Sequence, residues 1–168
     1  MENVKRIVAK CGSFLTIRDD HLYLIHQSAK DFLSKRASTL LFPYGVAVAH
    51  RDILIQSLQL MSDKLRRDMY GLGAPGFPID NVRVPDPDPL GTVRYSCVYW
   101  VGHLCHSVSG TSIHQDDVLQ DDRFIHTFLK TKYLYWLEGL SLLRAMPEGV
   151  MAIRQLENLL VRIRLPPL

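Results

Sequence analysis

No stretch of this chain reaches the roughly 18 consecutive apolar residues that a bilayer-spanning helix needs, and the opening Met1-Glu2-Asn3-Val4-Lys5-Arg6 lacks the apolar core of a secretory leader. Neither a membrane partner nor export is expected. Cysteine is scarce: Cys11, Cys97 and Cys105 are three, few and odd in number, which suits free thiols in a reducing compartment better than a disulfide framework. The expected compartment is the cytoplasm. Net charge is low as well, with 20 Lys and Arg scattered among 17 Asp and Glu for a formal +3. That leaves no clustered basic face to meet a phosphate backbone, so a nucleic-acid partner is not expected.

Chemical motifs are equally thin. No Gly-x-Ser-x-Gly elbow or His-Glu-x-x-His occurs, and no phosphate loop ends in Gly-Lys-Ser or Gly-Lys-Thr, so no catalytic residue is assigned and an enzyme is not expected. Cys97, His103, Cys105 and His106 form the one metal-like grouping, but they lie along a single predicted helix without a second Cys-x-x-Cys clip, so no metal is expected. The acidic set Asp116, Asp117, Asp121 and Asp122 lacks the glycine and closing glutamate of a calcium loop and reads as a solvated helix start.

What the chain does have is apolar content: 168 residues at 47% hydrophobic can bury a substantial core. Cys11 to Leu33 carries the most information. Two apolar runs, Ser13 to Ile17 and His21 to Ile25, flank the polar Arg18-Asp19-Asp20, the pattern of a β-hairpin over Ser13 to Ile25. Both runs are apolar on both faces, so both faces are expected to be covered. Ser28-Ala29-Lys30-Asp31 then fits a capping box, with the Ser28 hydroxyl accepting from the third helical N–H and Asp31 reaching back to the Ser28 N–H. His26 therefore sits where a strand hands over to a helix start. An imidazole there can donate to an anion held by the free N–H groups, or it can simply continue the Leu22, Leu24, His26 alternation and bond a backbone carbonyl.

The remaining chain reads as helices and one long loop. A short helix over Glu2 to Lys10 precedes the hairpin, and Ala37 to Tyr44, with Pro43, follows as a connector after a helix ending near Lys35. From Ala47 to Tyr70 an apolar stripe runs through Leu54, Leu58, Met61, Leu65 and Met69. Gly71 to Asp88 holds too many glycines and prolines for regular structure and should pack along the helices through Phe77 and Ile79. Asp88 and Pro89 should open a helix to about His106, followed by a polar break over Ser107 to Gln115 and a helix starting at Asp116 or Asp117. Separate helices follow over Lys132 to Arg144 and from Pro147, the last burying Val150, Ile153, Leu156, Leu160 and Ile163. The fold class is thus mainly α, with one hairpin and an α-helical bundle. Residues 1–36 form the first unit and 45–164 a helical domain with its loop at 71–88.

The string Leu24-Ile25-His26-Gln27-Ser28-Ala29-Lys30-Asp31-Phe32-Leu33 resembles the end of the winged-helix domain in NACHT-type STAND NTPases, the NOD-like receptor architecture. The likeness continues, for the fungal NACHT and WD-repeat proteins of the vegetative-incompatibility class, through Ala74 to Asp80, Pro85 to Leu90, Tyr95 to Val101 and Tyr135 to Ser141. The resemblance implies the second half of a winged helix followed by a helical bundle. It implies a regulatory and interaction module whose partners are a NACHT nucleotide-binding core, in cis or in trans, and a WD-repeat sensor. ADP or ATP would be the cofactor of the intact architecture, with His26 near the ADP phosphate, and none would be held by this segment alone. Two other classes fit the residues: a winged-helix DNA-binding protein with a helical oligomerisation tail, and a helical protein-binding scaffold. The DNA reading needs a basic recognition helix, and Glu2 to Lys10 offers only Lys5, Arg6 and Lys10.

Overall fold

A computed structural model describes residues 2–12, 14–18, 21–74, 76–108 and 124–164. The described residues are mainly helical, with a single two-stranded antiparallel sheet. The chain divides into two compact units, Met1–Val46 and Ala47–Leu168.

In the first unit, helix α1 (Glu2–Lys10) ends where Gly12 takes a positive φ of 51°, and strands β1 (Leu15–Arg18) and β2 (His21–Leu24) follow. The register opposes Leu15 to Leu24 and Ile17 to Leu22, which places these four on one face, with Thr16 and Tyr23 on the other. The hairpin expected from alternation is therefore present; Ser13, Asp19 and Asp20 lie outside the described residues. Its expected cover is incomplete: Leu15, Thr16 and Ile17 are half-buried. Leu22 is 53% exposed, Tyr23 48% and Ile25 40%, and the only buried apolar residues described in this unit are Ala29 and Ala37. Four-residue strands and short helices supply too little chain to cover two apolar faces. Helix α2 (Gln27–Asp31) runs into a π-helical turn (Phe32–Arg36), where the Ala37 N–H donates to the Phe32 carbonyl at 2.9 Å. The expected connector contains one further turn, α3 (Ser38–Leu41), which stops before Pro43.

The second unit holds the core. Helix α4 (Val46–Lys64) carries the predicted stripe, and Leu54, Leu58, Met61, Leu65 and Met69 are all buried, although the helix stops at Lys64 instead of reaching Tyr70. Asp68 ends that extension with a φ of 57°, its carboxylate accepting from Leu72 N–H and Gly73 N–H at 2.6 and 2.9 Å. Among its described residues, loop 71–88 contains one 3-10 turn (Ile79–Asn81); Ile79 is half-buried, whereas Phe77 stays 43% exposed. Asp88 does cap, accepting Leu90 N–H at 2.8 Å, but it caps a run of turns, and helix α5 (Arg94–Ser107) begins five residues after Pro89. Leu90, Val93, Cys97, Trp100, Val101 and Leu104 are fully buried.

Residues 109–123, including the expected start at Asp116 or Asp117 and the expected polar break beyond Val108, lie outside the described residues. One continuous helix, α6 (Ile125–Leu142), replaces the two helices expected on either side of Lys132. The polar Lys130-Thr131-Lys132 is no boundary, because the Lys132 ammonium donates to the Leu65 carbonyl at 2.9 Å, just past the end of α4, while its neighbours Phe128 and Trp136 pack inward. Arg144, at φ 56°, turns the chain after α6 in the left-handed position usual for glycine, and the Ala145 N–H closes back to the Leu140 carbonyl at 2.8 Å. Helix α7 (Met146–Arg164) follows, with Pro147 in its first turn as expected. Its buried face runs through Gly149, Ala152, Leu156 and Leu159; of the predicted face Leu156 is buried and Ile153 packs half-buried against the core, Val150 is corrected to 46% exposed, and the side chains of Leu160 and Ile163 lie outside the description. Gly149 explains the register. A Cβ there would stand 2.6 Å from Leu140 Cδ1, so the absence of one lets α7 lie close against α6.

Candidate functional site

His26 lies two residues after the end of β2 and holds the N-cap of α2 in extended conformation, with φ −137° and ψ 152°. Its carbonyl accepts from Ala29 N–H at 3.0 Å, which starts the helix, while its imidazole is exposed and makes no capping bond. The capping box on Ser28 is therefore not formed. The sheet pairing ends with Ile25 N–H donating to the Phe14 carbonyl at 3.0 Å, and the chain enters the helix at Gln27, two residues earlier than a Ser28 cap requires. Ser28 becomes the second helical residue, and Asp31 is met instead by Gln27 Nε2 at 3.3 Å. Ser28→Ala is accordingly expected to change stability by less than about 0.5 kcal/mol, against about 1 kcal/mol for a true cap. Urea denaturation of the two forms checks this, and a loss near the larger figure would restore the cap.

A second grouping was not legible in the sequence. His50 from α4 meets His103 from α5 with Nδ1 to Nδ1 at 2.8 Å, and His103 Nε2 lies 2.8 Å from the Tyr95 hydroxyl. His106 stacks on His50 with ring centroids 4.8 Å apart, its Nδ1 donating to the Gly102 carbonyl at 2.7 Å. Burial, then the charge of His106, lowers the His50 pKa below its ordinary 6.5. Burial, then His50 and His106, does the same to His103. Of the metal-like grouping in the sequence, Cys97 is buried in the core, where desolvation pushes its thiol up to about 12. Among the described residues no group of three His, Cys, Asp or Glu is arranged to hold a metal.

The third feature is a half-open cavity of about 320 Å³ between loop 71–88 and α6, lined by Arg67, Leu72, Phe77, Glu138 and Ser141 among others. Gly71-Leu72-Gly73-Ala74-Pro75-Gly76 beside it has the Gly-x-Gly-x-x-Gly spacing, a feature sequence reasoning passed over. It is not a dinucleotide fingerprint, because it follows the end of a helix and opens a loop, where the fingerprint needs a strand before and a helix after. Three of its amides are already used by Asp68. The Leu72 and Gly73 N–H groups that could cradle a phosphate hold the Asp68 carboxylate, and the Asp68 N–H donates to Glu138 Oε1 at 2.7 Å. The loop is stapled at its far end as well, where the Tyr70 hydroxyl donates to Asp88 Oδ1 at 3.0 Å. Desolvation first, then that carboxylate, raises the Tyr70 phenol to about 12, so it stays a donor at any ordinary pH. These contacts make the cavity a product of loop anchoring.

Among the described residues, no helix is long and apolar enough to cross a membrane. The chain is 58% identical over 171 residues to the vegetative incompatibility protein HET-E-1 of Podospora anserina. That match takes in 95% of this chain and 13% of the relative, so the chain spans a small fraction of the length of the protein it resembles. No family model and no solved structure matches it.

Proposed function

We propose that the chain is a regulatory and interaction module of a fungal NACHT-type signalling NTPase, formed by the second half of a winged helix and the helical bundle after it. The observation that carries this reading is the 58% identity, along 95% of the chain, to a fungal vegetative incompatibility protein. Burial supports it. The first unit exposes Ile7, Leu22, Tyr23, Leu24 and Ile25 while burying only two alanines among its described residues, a pattern that suits an element completed by a larger partner surface. In this reading the partner is the nucleotide-binding core, and His26 at the start of α2 donates to the phosphate of the ADP held there. Catalysis belongs to the core, and a WD-repeat sensor supplies the trigger.

The test uses the chain and a separately expressed nucleotide-binding core of the relative. The core is expected to capture the chain, and Leu22→Glu with Tyr23→Glu to abolish capture without unfolding the second unit. Calorimetry of the chain alone should show no ADP binding, since one imidazole and one helix end cannot replace the successive N–H groups and lysine of a phosphate loop. Tight ADP binding by the isolated chain, or failure of capture, overturns the reading.

A further inference from the structure

We propose that His50, His103 and Tyr95 form a proton-sensitive latch that holds the first two turns of α4 against α5 at neutral pH and releases them on acidification. The geometry sets the proton count. With the two Nδ1 atoms at 2.8 Å, one must carry a hydrogen and the other must offer its lone pair. If His103 donates through Nδ1 to His50, its Nε2 either accepts the Tyr95 O–H or, with one proton added, donates to the Tyr95 oxygen at the same 2.8 Å. A single proton is thus accommodated. The second is not, because a protonated His50 Nδ1 would point its hydrogen at another N–H, and two cations would share a site in which His103 is only 9% exposed.

The titratable groups at the cluster are His50 from α4 and His103, His106, Tyr95 and Tyr99 from α5. No Asp or Glu among the described residues pairs with these rings. Both imidazoles have folded pKa values below the ordinary 6.5, so the neutral pair favours the folded state. The stabilisation is complete above about pH 6.5 and is lost as pH falls through the lowered folded values. Position makes the loss local: His50 is the fifth residue of α4, and the boundary between the two units falls at Val46 and Ala47.

Hydrogen exchange of the intact chain at pH 7.5 and pH 5, corrected for the intrinsic rate, tests the latch. Amides of residues 50–54 are expected to lose at least tenfold in protection at pH 5, while those of residues 58–64 and of α6 keep theirs. His50→Leu, which removes the second titrating ring, should abolish that pH step. His103→Gln, which keeps a donor and an acceptor in place, should abolish it too, and either variant alone suffices if the other does not fold. Unchanged protection of residues 50–54 in the parent chain, or an equal pH step in the folded variants, overturns the proposal.

Discussion

Trp136→Ala is expected to destabilise the second unit by about 3–5 kcal/mol, a large part of the 5–15 kcal/mol that holds a typical domain together. Trp136 is fully buried on α6, and its indole meets Trp100 of α5 edge-on at 5.6 Å, which in turn meets Phe128 edge-on at 5.5 Å. Its Nε1 also donates to the Cys97 carbonyl at 2.8 Å, tying α6 to α5 through a polar bond inside the apolar contact. Alanine removes the ring, its aromatic partners and that donor together, and leaves a cavity that the rigid helices cannot close. Trp136→Phe keeps most of the apolar area and loses the hydrogen bond, so it should cost clearly less. Chemical denaturation followed by far-UV circular dichroism measures both, and a loss below about 1 kcal/mol for the alanine variant would show that the α5–α6 joint does not depend on this ring.

The second large effect concerns His26 in an intact receptor that contains this segment. Its imidazole is exposed and free of a capping bond at the start of α2, where the first helical N–H groups also favour an anion. On the proposed function it donates to the ADP phosphate only in the closed, resting state. A charge-assisted hydrogen bond of this kind contributes about 1.5–3 kcal/mol, enough to shift a closed-to-open equilibrium by roughly ten- to a hundredfold. His26→Ala should then raise signalling without a trigger and speed ADP release, with the melting of the isolated chain unchanged. Unchanged resting activity and ADP retention would leave His26 as a solvent-facing cap residue.

Which features could be read in the sequence follows from how local their causes are. The hairpin was legible because alternation around a polar turn is a property of neighbouring residues, and the α4 stripe because its Leu and Met positions repeat at helical spacing through Met69. The turn after α4 was not, since it is held by Asp68 folding back on Leu72 and Gly73. On α7 Leu156 was placed correctly and Val150 was not: hydrophobicity favours Val150, whereas close approach to α6 selects the small Gly149 and Ala152. Ser28 matched a capping pattern, but the strand pairing through Ile25 fixed where the helix begins. His26 was placed correctly at the strand-to-helix junction from the sequence. The His50 to His103 contact joins residues 53 apart on different helices, and no spacing rule reaches across it.

The most direct measurement replaces the matching segment of the Podospora anserina relative with this chain and scores the incompatibility response of the chimera. The expected result is a response that still needs its trigger, together with a His26→Ala chimera that responds without one. A chimera indistinguishable from a receptor lacking the segment altogether would contradict the assignment of this chain as a regulatory module.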